Sequence, residues 1–236
     1  MSEPHAQSAT NFHRPAAPAG TVPQPLPWLP GLISGDLRAK ALRRYERADW
    51  KAIIKVLLAD GTAAMILYRL MQWSRKYRLF PLEMLFNKIN GVCCSCIIGR
   101  GAEFGPGFVL LHSQGVVING QARGGSDICL EHQVTIGAER NQNPRLGNDV
   151  YVGCGARILG AVTVGDGARV GANAVVVRDV PAGATVVGIP ARVVRHRAVD
   201  EEAGRTAHAA GSAGDDDTVE LVPFQSTGDK PAGLGK

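Results

Sequence analysis

Two histidines in the middle of the chain are the residues best placed to do chemistry. Of six in the sequence, His5, His13 and His208 fall in Pro-, Ala- or Gly-rich text that reads as disordered, and His196 lies in a basic run. His112, in LLHSQG, and His132, in LEHQ, remain. An imidazole changes charge near neutral pH, so either one can take a proton from a hydroxyl as it attacks an acyl carbon. A hydrogen-bonded surface histidine is the plainer reading of each. The chain has no GxSxG elbow, no P-loop and no GxGxxG after a strand. Cys154 stands in Gly-Cys-Gly, a turn that simply needs a small residue. Direct, single-displacement transfer is therefore the simplest chemistry to expect.

The remaining composition narrows the classes. Five cysteines occur, Cys93, Cys94, Cys96, Cys129 and Cys154. The 93–96 cluster has no second pair at metal spacing, so small buried thiols are expected and a metal is not. An odd count without an export signal points to a reducing compartment, hence the cytoplasm. The net charge is +5, with no Lys/Arg run interleaved with aromatics, so nucleic acid is not an expected partner.

The elements that must hold these histidines announce themselves by period. Stepping by six from Ile98 to Val176 meets fourteen positions, thirteen of them apolar; only Arg140 breaks the run. Gly follows at 99, 105, 147, 153, 165 and 171. Strands alternate every two residues and helices every 3.6, so neither produces this period alone. Short strands with one inward aliphatic, each followed by a tight turn, do. Stacked, they make a mainly β fold, a parallel β-helix of hexapeptide repeats, in which each coil buries its apolar residue against the next. The 84 repeat residues amount to between four and five triangular turns. RNQNPR, at 140–145, has loop composition within a preserved register, and protruding loops often carry function.

A small α-helical region precedes the coils. Helices are expected at Asp36–Arg47, Asp49–Leu58 with Asp49 as N-cap, Thr62–Tyr77, and from Pro81 through Lys88. Packing against the first coil is the favoured role for them; peripheral membrane contact through Trp73, Arg75, Lys76 and Arg78 is the less favoured one. The expected organisation is a disordered Pro-rich leader at 1–30, neither signal peptide nor membrane span. The helical region follows at 31–92, the β-helix at 93–197 and a disordered tail at 198–236.

The run from Phe104 to Val194 resembles the catalytic domain of serine O-acetyltransferases, members of the left-handed β-helix (hexapeptide) acyltransferase superfamily. FGPGFVLLHSQGVVI, VTIGA, VGCGARILGAVTVGDGARVGANAVVVRDVP and TVVGIPARVV carry the likeness, and GTAAMILYRLMQW resembles the helix before the coils. The closing ARILG to GIPAR text is specific for acetyl-CoA-dependent hexapeptide transferases and less so for the acceptor. The resemblance implies a left-handed coil, acetyl-CoA as co-substrate, and sites between the subunits of a homotrimer, with a dimer of trimers left open. It makes His112 the base that deprotonates the serine hydroxyl, a step of cysteine biosynthesis. Cys154, Ala172, Gly188, Arg192 and Arg195 fall where that family meets the CoA arm and nucleotide.

The departures from the family are specific. Leu111 stands where the family has Asp before the base, and Ile97 where it has the Asp that partners the base. Glu131, about one coil along, is the substitute partner that spacing suggests. Gln142 and Asn143 replace an Arg-His pair in the acceptor loop, leaving Arg140 or Arg145 to meet a serine carboxylate. Uncharged loop residues suit a neutral sugar, so O-acetylation of a sugar hydroxyl in exopolysaccharide or capsule assembly is the alternative function. N-acetylation of an amino sugar uses the same base chemistry, and a non-catalytic scaffold is the reading from a different class.

Overall fold

The computed structural model describes residues 28–196. The expected leader and tail lie almost wholly outside the described residues. Four helices lead: α1 (Leu29–Tyr45), α2 (Trp50–Leu57), α3 (Thr62–Lys76) and α4 (Phe80–Cys94). The Asp49 carboxylate caps α2 by accepting the Ala52 N–H at 2.8 Å, as the sequence suggests. Two boundaries differ from expectation. α1 begins at Leu29, because Pro30 fits a first helical turn. α4 runs six residues past Lys88, taking Cys93 and Cys94 out of the coil, and ends where Ser95 turns left-handed.

From Cys96 the chain winds as a parallel β-helix of about five turns. The first face stacks Cys96–Ile98, Val116–Ile118, Thr135–Gly137, Arg157–Leu159 and Val175–Val176. The second stacks Glu103–Phe104, Arg123–Gly124, Arg145–Leu146 and Thr163–Val164. The third stacks Val109–Leu110, Cys129–Leu130, Tyr151–Val152, Arg169–Val170 and Ala184–Val187, closed by an antiparallel strand, Arg192–His196. Ile98, Leu110, Leu130, Val152, Ile158 and Val170 are among the aliphatics filling the interior, all fully buried.

The coil departs from a strict six-residue rhythm at two places. Leu110 pairs with Leu130 and Ile118 with Ile136, so eight residues span the first corner where six span the next. Gly124 pairs with Leu146, so ten residues run from Ile136 to Leu146 where six run from Ile118 to Gly124. The extra two and extra four make one full hexad, which is why the sequence returns to phase at Leu146. Between the insertions, the six-step sequence positions Val116, Ala122, Ile128 and Val134 are also buried, each two residues before the paired positions Ile118, Gly124, Leu130 and Ile136. The insertions sit at the His112 turn and in the 138–144 loop.

The helices close the first end of the coil. Ala64, Met65, Tyr68 and Met71 of α3 join the same core as Ile98, Phe104 and Phe108. Tyr68 donates its hydroxyl to the Ala102 carbonyl at 3.1 Å and accepts the Phe104 N–H at 3.0 Å. Beside it, Arg69 and Asp36 form a fully buried pair at 2.7 and 3.0 Å. Arg69 also donates to the carbonyls of Phe104 and Gly105, and Asp36 accepts the N–H groups of Gly107 and Phe108. Packing, the favoured role for this region, is what is observed. Among the described residues, no helix is long and apolar enough to cross a membrane.

Candidate active site

His112 lies in the lengthened corner between the third and first faces, half-exposed. Its partner comes from outside the coil. Asp60, in the turn between α2 and α3, places Oδ2 3.0 Å from His112 Nδ1. The other carboxylate oxygen accepts the Gly61 N–H at 2.8 Å and the Ser113 hydroxyl at 3.3 Å. Burial works against a charge on Asp60, but the His112, Gly61 and Ser113 hydrogen bonds outweigh it and hold its carboxyl below the usual carboxylate range. An ionised carboxylate only accepts, so Nδ1 carries the imidazole proton and Nε2 keeps a free lone pair. That is the tautomer a general base needs.

The turn that delivers Asp60 depends on Gly61. Its φ is +77°, and a Cβ there would lie 2.5 Å from the Leu110 carbonyl oxygen. Only glycine lets the helical turn come this close to the coil.

The partner suggested by spacing is not the one found. Glu131 is the register neighbour of Leu111, and its carboxylate accepts the Tyr151 hydroxyl at 3.3 Å. It points its second oxygen toward His132, at 4.0 Å. Asp60 escaped sequence reading because it belongs to the helices and to no repeat. One signal was available: it is the only acidic residue between Asp49 and Glu83, and it stands in an Asp-Gly turn dipeptide.

Register aligns the other candidates. His112, His132, Cys154, Ala172 and Gly188 each lie two residues beyond paired positions Leu110, Leu130, Val152, Val170 and Val186. They form one column along a single edge of the prism. The His112 and His132 rings meet edge-on at 5.9 Å. Beyond them the column holds only small side chains. Four coil spacings put its ends about 19 Å apart. Arg192 pairs with Val187 and Arg195 with Thr185, so both flank the far end.

The acceptor-loop candidates are elsewhere. Gln142 closes a tight turn onto Glu139 through two backbone hydrogen bonds, at 2.8 and 3.0 Å. Asn143 donates to Gln121 Oε1 at 2.7 Å. Arg145 is exposed on the second face. All three lie at or beyond the corner between the first and second faces, so one chain does not bring them to His112. Burial pushes Cys96 and Cys129 up to about 12, which leaves them inert, whereas Cys93 is exposed. Among the described residues no cluster of three or more His, Cys, Asp or Glu is arranged to hold a metal.

Comparison with known proteins gives the same direction. The family described as bacterial transferase hexapeptide (six repeats) matches residues 143–178. Serine acetyltransferase of Helicobacter pylori is 37% identical over 152 residues, covering 63% of this chain and 87% of that protein. The Synechococcus elongatus serine acetyltransferase is 40% identical over 147 residues, 60% of each chain. Soybean serine acetyltransferase complexed with serine superposes with a TM-score of 0.63 at 32% identity, over 70% of this chain and 69% of that one. A serine acetyltransferase structure in complex with CoA gives 0.63 at 28% identity, over 70% and 69%.

Proposed function

Because this chain belongs to the serine acetyltransferase family, we propose that it transfers the acetyl group of acetyl-CoA to the hydroxyl of L-serine, with His112 as general base. The observation that carries the mechanism is the 3.0 Å contact between His112 Nδ1 and Asp60. Nε2 removes the hydroxyl proton as the oxygen attacks the thioester carbonyl, the C–S bond breaks, and the thiolate leaves with that proton. Asp60 stabilises the imidazolium that exists in between. General-base assistance of this kind contributes about 10²–10⁴ in rate.

The donor lies along the column, its arm against Cys154 and Ala172 and its nucleotide toward Gly188, Arg192 and Arg195. Small residues let the backbone approach a ligand, and guanidinium suits phosphate. Acceptor contacts come from Gln142, Asn143 and Arg145 of a neighbouring copy, because these residues occupy a different corner of the same chain. A trimer, with its sites between subunits, is the assembly that unites the two corners. Acetyl-CoA as donor and five unpaired cysteines fit a cytoplasmic enzyme.

One observation favours a second acceptor. Gln142 and Asn143 of the acceptor loop are uncharged where an amino acid's carboxylate would want a partner, which suits the hydroxyl of a neutral sugar. The experiment is CoA-thiol release from acetyl-CoA with L-serine and then neutral sugars, for wild type and His112→Ala. Serine-dependent release lost on substitution supports the serine reading. Release with sugars only moves the acceptor to a carbohydrate. No release with any acceptor, together with no acetyl-CoA binding, sinks the enzyme reading.

A further inference from the structure

Lys40 projects from α1 into the seam between helices and coil, where it is fully buried. Its Nζ donates to two backbone carbonyls, that of Asp60 and, at 2.7 Å, that of Leu110. Among the described residues it forms no ion pair closer than 4.0 Å. A buried ammonium is expensive. Burial, with some repulsion from Arg44, pushes Lys40 down to about 8, while the Asp60 charge pulls the other way. A neutral side chain would fill this space at less cost.

What the charge gains is position. One accepting carbonyl belongs to the residue whose carboxylate holds His112; the other lies two residues before His112 itself. Gly61 completes the junction, since a Cβ there would lie 2.5 Å from the Leu110 oxygen and 3.2 Å from Lys40 Nζ. Two carbonyl oxygens converge on one point and repel unless a strong donor sits between them.

We propose that Lys40 is a positioning residue for the His112–Asp60 pair, its ammonium clamping the Asp60 carbonyl to the Leu110 carbonyl. The loop bearing the carboxylate is thereby fixed against the coil bearing the imidazole. The clamp is separate from what docks the helices, because Tyr68 and the Arg69–Asp36 pair anchor them at other points. The inference rests on His112 acting as the base.

The test compares wild type with Lys40→Met and Lys40→Gln by steady-state kinetics and by ¹⁵N NMR of the His112 ring, assigned with His112→Ala. In Lys40→Met, kcat falls about 10–100-fold while KM for acetyl-CoA stays within about twofold. The His112 ring signals move from the Nδ1-protonated form to a tautomer mixture. Lys40→Gln, which keeps an N–H donor, recovers part of both. Wild-type kcat together with unchanged ring signals in folded Lys40→Met overturns the proposal. If Lys40→Met does not fold, the smaller Lys40→Leu, which also lacks a donor, decides by the same two readouts, and an unaltered ring there overturns it. Undiminished transfer by His112→Ala would overturn the base assignment instead, while the ring signals still report on the clamp.

Discussion

Asp60 and His112 are 52 positions apart in sequence and 3.0 Å apart in the folded chain. The coil supplies the imidazole and the helices supply the charge that sets its tautomer. The pair replaces an arrangement in which, by family likeness, the carboxylates would stand at positions occupied here by Ile97 and Leu111. Asp60→Asn keeps the shape and removes the charge. It should lower kcat about 10–100-fold with little change in KM for acetyl-CoA, read by steady-state thiol release.

His112 and His132 face each other on adjacent coils, yet only one has a bonded carboxylate. His132 Nδ1 is 4.0 Å from Glu131, beyond hydrogen-bond reach. His112→Ala should cost at least about 10² in kcat. His132→Ala should cost less than about tenfold, for lack of an orienting partner. Parallel kinetics on the two variants check this, and equal losses would reassign the base.

Gly61→Ala tests the close approach of loop to coil. At φ +77° with 2.5 Å to a carbonyl oxygen, alanine must move the turn. The expected outcome is about 1–3 kcal/mol of destabilisation together with a loss of kcat, measured by urea unfolding and by turnover.

The repeat was legible from spacing alone, because a six-residue period of aliphatics can be buried in few ways. Which residues lined the strands through the middle coils was less so. Val116 to Val134 keep the six-step count from Ile98 but fall two residues short of the paired positions, both phases being buried. The count meets the strands again at Leu146 only because insertions of two and four residues add to a whole hexad. His112 was legible as one of two coil histidines, and the family likeness singled it out. Asp60 was not, since contacts across 52 positions leave no periodic trace. The loop candidates Gln142 and Asn143 were found as a loop, but their corner of the prism followed only from strand register.

Arg69→Met should be the most damaging single change to the helical region. It would leave Asp36 buried with its charge unpaired, a loss of about 3–5 kcal/mol. Denaturant unfolding of the variant checks this, and a loss under 1 kcal/mol, on the scale of an exposed pair, would contradict the burial of the ion pair.

Lys40 gives stability a pH signature. Its folded value of about 8 lies below its ordinary 10.5, so between these values the unfolded chain binds the extra proton. Its burial cost is thus fully present below pH 8 and is relieved as pH rises toward 10.5. Wild type should gain on Lys40→Met over that interval by up to about 3 kcal/mol. Urea midpoints of both proteins at pH 7, 8 and 9 measure the difference, and a constant gap would refute it.

The placement of Asp60 has a bearing on how this enzyme can be exchanged piecewise with its relatives. A transplanted coil would carry the imidazole without the group that tunes it, and a transplanted helical preface would carry the tuner alone. Neither half is a portable catalytic module. Chimeras joined near Ser95 should inherit activity only when the grafted helices or the grafted coil bring a carboxylate to the imidazole, so the joint between helices and solenoid is a boundary of architecture and not of function.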